Sequence, residues 1–175
     1  SEIGKSLGVS DHTAQRYLDL LSGTFMIRQL RAWHYNTKKR IIKRPKIYFR
    51  DTGILHALFS LENKKDVFHH PKLGASWEGF ALEETIKAIG LKDNEAFFWG
   101  VHASAELDLL FQRKGRLYGI EVKYAQAPGF AKSMATAFDE LNLTHLWVIY
   151  PGKKIYKLNQ TTTVLPISEI AQLKL

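Results

Sequence analysis

The spacing of apolar residues changes repeatedly along this chain, and each change predicts an element. Ile3 and Leu7 recur at helical spacing, and Gly8-Val9-Ser10 interrupts them. Ala14, Tyr17, Leu18 and Leu21 resume the helical period behind a Ser10 or Asp11 cap, so the chain opens as helix, glycine turn, helix. Residues 25–32 (FMIRQLRA) and 46–50 (KIYFR) read as two strands with Asn36-Thr37 as a turn between them. Asp51-Thr52-Gly53 caps a further helix over ILHALFSL. Residues 62–73 (ENKKDVFHHPKL) are polar, contain Pro71 and read as a linker, which sets a first unit at 1–61 apart from a second at 74–175.

The second unit opens with a long helix, GASWEGFALEETIKAIG, stopped by Gly90. A strand follows at 95–101, a β-hairpin at 105–124, and a helix at 129–141. Residues 144–150 (THLWVIY) form the continuous apolar run of a strand covered on both faces. Short strands at 153–158 and 163–166 and a short helix at 167–175, capped by Ser168, complete the chain. The expected class is α/β (α+β), with the order αβββαβ in the second unit.

The hairpin carries the first sign of chemistry. With Lys114-Gly115 as its two loop residues, one face pairs Phe111 with Tyr118, Leu109 with Ile120 and Leu107 with Val122, an apolar set made for a core. The other face sets Glu106 opposite Lys123 and Asp108 opposite Glu121. Opposite charges across strands are mildly favourable, but two carboxylates with β-carbons roughly 4.5–5.5 Å apart repel. A positive group belongs between them, and a hard divalent cation with oxygen ligands is the usual solution.

Charge and composition narrow the class. The net charge is +8, and residues 1–60 hold 11 Lys/Arg against four acids, whereas residues 61–175 hold 14 against 13. Nearly all the excess is therefore in the first third, which points to a polyanion partner there. A basic hairpin directly after a helix-turn-helix makes a winged helix. Its second helix would turn His12, Thr13, Gln15 and Arg16 to a DNA groove, and Lys38, Lys39, Arg40, Lys43 and Arg44 would meet phosphates; docking on another protein domain is the alternative. There is no cysteine, so disulfides and thiolate metal sites are excluded. No apolar run approaches the ~18 residues of a membrane span and no signal peptide is visible, so a cytoplasmic location is expected. His69-His70 has no acid or cysteine nearby and reads as solvated linker.

These residues carry resemblances. The opening is similar to the bacterial helix-turn-helix form IA..LGVS..T..RYL..L. Asp108 followed by Glu121-Val122-Lys123 resembles the D…(D/E)-x-K signature of the PD-(D/E)XK nuclease-like superfamily, although no proline precedes Asp108. That resemblance implies a restriction-endonuclease-like core in which Asp108 and Glu121 hold Mg²⁺ or Mn²⁺ and Lys123 positions or activates the attacking water. It also implies a helical glutamate at the site, for which Glu78 is the best match; the alternative is that Glu78, like Glu83 or Glu84, is a surface acid. Glu106 would be a third ligand or the partner that neutralises Lys123.

The whole chain, through LGVSDHTAQRYLDLL, KRPKIYFRDTGIL, WEGFALEE and AELDLLF…GIEVKY, resembles the C-terminal region of an uncharacterised bacterial and archaeal AAA-type ATPase family. An ATPase domain of the same polypeptide is therefore expected before Ser1, and an oligomer is compatible with that. Two functions follow as expectations: a DNA-associated, metal-dependent nuclease, or a non-catalytic DNA-docking or protein-interaction module.

Overall fold

A computed structural model describes residues 2–33, 44–101 and 105–173. The first helices are α1 (Glu2–Leu7) and α2 (Asp11–Gly23). Ser10 caps α2, its hydroxyl accepting from the Thr13 amide at 3.1 Å and so satisfying one of the free N–H groups of the first turn. Strands β1 (Ile27–Ala32) and β2 (Lys46–Phe49) pair antiparallel, from Ile27 opposite Phe49 to Leu30 opposite Lys46. Helix α3 (Thr52–Leu58) starts on Asp51, whose carboxylate accepts from the Gly53 amide.

The polar stretch after α3 is not a plain linker. Asn63 accepts from the amides of Lys65 and Asp66 and starts a short helix, α4 (Lys64–His69). His69 and His70 stay within this connection, His69 against the Lys65 carbonyl and His70 stacked on Phe59. Helix α5 (Leu73–Ile89) ends on Gly90, whose φ of 70° is the left-handed conformation a glycine cap supplies.

Then come β3 (Phe97–Val101), β4 (Ala105–Arg113), β5 (Arg116–Val122), α6 (Lys132–Leu141), β6 (His145–Tyr150), β7 (Tyr156–Lys157) and β8 (Thr162–Pro166). The order from α5 to β6 is the αβββαβ the sequence predicts. A 3-10 helix (Ile167–Gln172) closes the described chain; it follows directly on Pro166, so Ser168 lies inside it and caps nothing.

Among the described residues the strands form one mixed sheet in the order β2-β1-β3-β4-β5-β6-β8-β7. β1 runs parallel to β3, with Arg31 opposite Phe97 and Ala32 opposite Phe98. The strands of the expected wing therefore extend the sheet of the second segment. Lys38, Lys39, Arg40 and Lys43 lie outside the described residues.

One face of the sheet packs Leu109, Phe111, Ile120, Trp147 and Ile149 with Leu82 and Ile86 of α5. The other packs Trp99, Leu107, Leu110, Leu146 and Val148 with Met134 and Ala137 of α6. Covered on both sides, β6 needs the continuous apolar run it has. No helix among the described residues is long and apolar enough to cross a membrane.

Candidate functional site

The site begins where the β4–β5 ladder opens. Lys114 and Gly115 sit at φ 49° and 76°, the two positive values of a tight two-residue turn, and Arg113 faces Arg116. The ladder then runs to Leu109 opposite Ile120, in the register the sequence predicts. Against β3 the pairing shifts from Phe97 opposite Leu110 to Trp99 opposite Leu107, so Asp108 and Leu109 together oppose Phe98. This β-bulge corrects one expectation. Leu107 turns to the α6 face with Leu110, while Leu109 and Phe111 face α5. Asp108, at the bulge, reaches across to β5, where its Oδ2 accepts from the Val122 amide at 2.9 Å. The Lys123 amide goes instead to the Ile149 carbonyl of β6 at 2.9 Å, so the two hairpin strands part here.

A residue that sequence reasoning missed occupies the fork. Lys46 of β2 places its Nζ 3.2 Å from Asp108 Oδ1 and 3.3 Å from Glu78 Oε1, and pairs with Glu106 Oε1. Two residues on, and so on the same side of β2, Tyr48 donates its hydroxyl to Glu78 Oε1 at 2.5 Å. Lys123 pairs with Glu121 at 2.6 Å rather than with Glu106, which the bulge leaves to Lys46. Among the described residues no group of three or more acidic or histidine side chains is placed to hold a metal ion. Glu78, Glu106 and Asp108 converge instead on the Lys46 ammonium.

Glu78 is the helical acid of this cluster. Glu83 is buried elsewhere, in a bidentate pair with Arg28 of β1, and Glu84 pairs with Lys87 on the surface. Arg28 also donates to Asp93 at 2.7 Å, and Arg50 of the KIYFR stretch donates to the same carboxylate at 2.5 Å. A cavity of about 530 Å³ adjoins the site between β2, α3 and α5, with Lys46, Tyr48 and Glu78 in its wall.

Burial dominates the electrostatics. It pushes the Asp108 carboxyl up; the Lys46 charge opposes this and Glu78 adds to it. Burial, and then the charge of Asp108, push Glu121 up to about 7. Burial pulls the Lys46 and Lys123 ammoniums down, but Asp108 and the neighbouring acids outweigh it for Lys46, and Glu121 for Lys123, so both are raised and stay protonated.

The raised Glu121 carboxyl makes stability depend on pH. The folded chain holds this proton more tightly than the unfolded chain, whose value is near 4.5. The contribution is therefore complete below about 4.5 and is lost as pH rises through about 7, at most about 3 kcal/mol. Glu121→Gln is expected to flatten the fall in denaturant stability between pH 4.5 and 7.5. An unchanged slope would show that Glu121 ionises as freely in the fold as outside it.

The four residues expected to read a DNA groove stand apart from this cluster on α2. His12 and Arg16 are exposed, and Thr13 is half-buried with its hydroxyl on Ser10. Gln15 is engaged within the protein, donating to Asp19 and to Gln29 of β1. Arg44, just before β2, is exposed.

Two family models match the chain: a domain of unknown function (DUF8612) over residues 1–65 and a domain of unknown function (DUF4143) over residues 73–170. Two curated relatives, uncharacterised proteins of Mycobacterium bovis and Mycobacterium tuberculosis, are each 41% identical over 170 residues. The match covers 97% of this chain but 38% of each relative's length. No solved structure matches the chain. The acid cluster joins the two matched segments: Lys46 and Tyr48 come from the first, and Glu78, Glu106, Asp108, Glu121 and Lys123 from the second.

Proposed function

The chain belongs to the DUF4143 family, and from that premise we propose that it is the nuclease-like C-terminal module of an AAA-type ATPase, hydrolysing phosphodiester bonds with a divalent metal ion. The observation that carries this reading is the gathering of Glu78, Glu106 and Asp108 round one positive charge, next to Glu121 and Lys123, where two strands part. The αβββαβ order supports a restriction-endonuclease-like core, and β1–β2 behind α1–α2 supports a winged helix-turn-helix before it. The basic excess of residues 1–60 supports DNA as the partner.

The donor chemistry fits a hard cation, since carboxylate oxygens already surround a cationic centre. Asp108, Glu121 and Glu78 would hold Mg²⁺ or Mn²⁺, and Glu106, which shares the Lys46 ammonium with Asp108 and Glu78, would join them as a ligand. A metal bound there would polarise a phosphoryl oxygen and stabilise the developing charge. Tyr48 holds Glu78 in place through its hydroxyl, and the Val122 amide fixes the Asp108 carboxylate. Lys123, kept protonated by Glu121, cannot take a proton from water; it orients the nucleophile and donates to the charge that develops.

A non-catalytic DNA-docking or protein-interaction module is the second reading. It is favoured by the fact that all four carboxylates already have a lysine partner, so the cluster is paired without metal. Thermal denaturation separates the two readings. Millimolar Mn²⁺ is expected to stabilise the wild type by mass action, about 2.7 kcal/mol at a hundred times the dissociation constant, and Asp108→Asn should lose most of that gain. No metal-dependent shift in the wild type would favour the docking module.

A further inference from the structure

The acid cluster already contains a positive group, and the chain supplies it. Lys46 approaches from β2, 32 residues before Glu78 and 62 before Asp108. Its ammonium contacts one oxygen from each of Glu78, Glu106 and Asp108, and its side chain is only 22% exposed. An ammonium on three carboxylates from two elements is not a surface ion pair. It sets a positive charge beside the buried Asp108 carboxyl, where it opposes the upward push of burial.

We propose that Lys46 is a tethered cation that keeps Glu78, Glu106 and Asp108 together without metal, so that a divalent ion entering this trio must displace it. The inference rests on the metal-dependent reading and gives it a regulatory feature: the site is closed by a residue of the first matched segment. Three observations support displacement rather than permanent pairing. Lys46 offers a compact charge on a flexible four-carbon stem, which changes position more readily than a planar guanidinium. The cavity of about 530 Å³ that Lys46 itself lines gives the ammonium room to withdraw. Glu78 and Asp108 also have fixing contacts that do not depend on Lys46, from the Tyr48 hydroxyl and the Val122 amide, so these two ligands stay placed when Lys46 leaves.

The alternating strand Lys46-Ile47-Tyr48 thereby acquires a role as a unit. Lys46 closes the trio and Tyr48 steadies its helical member. A divalent ion carries twice the charge of the ammonium it replaces and suits three carboxylates better. The ammonium, however, is covalently tethered and present at every metal concentration. Loss of its charge should therefore appear as tighter metal binding.

The test is Mn²⁺ affinity, read from the free-ion electron paramagnetic resonance signal, for the wild type, Lys46→Met and Lys46→Gln at one pH. Both variants are expected to bind Mn²⁺ at least tenfold more tightly than the wild type. Adding Glu106→Gln to either variant should reverse most of the gain, which locates the ion in the trio. Should Lys46→Met fail to fold without metal, Lys46→Gln keeps two amide donors for the carboxylates and carries the comparison. Equal or weaker affinity in the variants, with the wild type binding, would overturn the displacement inference and leave the metal-dependent reading standing. No Mn²⁺ binding by any of the proteins would overturn both.

Discussion

Replacing Arg28 by alanine is expected to destabilise the protein by about 3–5 kcal/mol, the range for breaking a buried ion pair from one side. Arg28 is 4% exposed and Glu83 3%, and the guanidinium meets the carboxylate with two nitrogens. Truncation leaves Glu83 buried with its charge uncompensated. It also removes the link that ties β1 to α5, and with it a contact between the two matched segments. Against the roughly 5–15 kcal/mol that hold a typical domain together, this is a large fraction. A paired replacement, Arg28→Met with Glu83→Leu, should recover most of the loss, because apolar side chains of similar volume do not require a counter-charge. Urea denaturation of the three proteins measures both terms. A cost under about 1 kcal/mol for Arg28→Ala would mean that water reaches Glu83 in the folded state.

Removing the Lys123 amine is expected to lower phosphodiester cleavage by about 10²–10³-fold, the usual effect of losing one donor aimed at developing charge. The same change should leave Mn²⁺ affinity within a few-fold of the wild type. Lys123 is protonated and has no lone pair to give a metal; its Nζ sits 2.6 Å from Glu121 Oε1. Lys123→Ala frees that oxygen rather than removing a ligand. The split between binding and turnover distinguishes a group acting on the nucleophile from one that only holds the site together.

The fold was legible where local chemistry decides it. Lys114-Gly115 between two apolar runs determines a tight turn, and the turn sets the register as far as Leu109 and Ile120. The apolar run in β6 and Gly90 after α5 are equally local signals. The bulge was not legible, because strict alternation through LDLLF is as good a pattern as one that skips a residue. Its structural mark is that Leu107 and Leu109, two residues apart, face opposite sides of the sheet, against the ordinary alternation of a strand. Helix α4 was missed because a single Asn63 cap governs it in an otherwise polar, proline-containing stretch.

At the site, Asp108, Glu121, Lys123 and Glu78 could be named from charge pattern and resemblance. The need for a positive group among the acids was also legible. Its identity was not, since Lys46 is 62 residues from Asp108 and no local period connects them. Beside five neighbouring cations between Lys38 and Arg44, Lys46 looks like one more phosphate contact.

The most direct test of the central claim is cleavage by the purified chain. End-labelled single-stranded, duplex and branched DNA would be incubated with millimolar Mn²⁺, with chelator controls and with Lys123→Ala in parallel. The expected result is Mn²⁺-dependent cleavage of at least one substrate by the wild type, abolished by chelator and reduced at least a hundredfold by Lys123→Ala. No cleavage of any substrate, or cleavage that Lys123→Ala carries out as well as the wild type, would contradict the account.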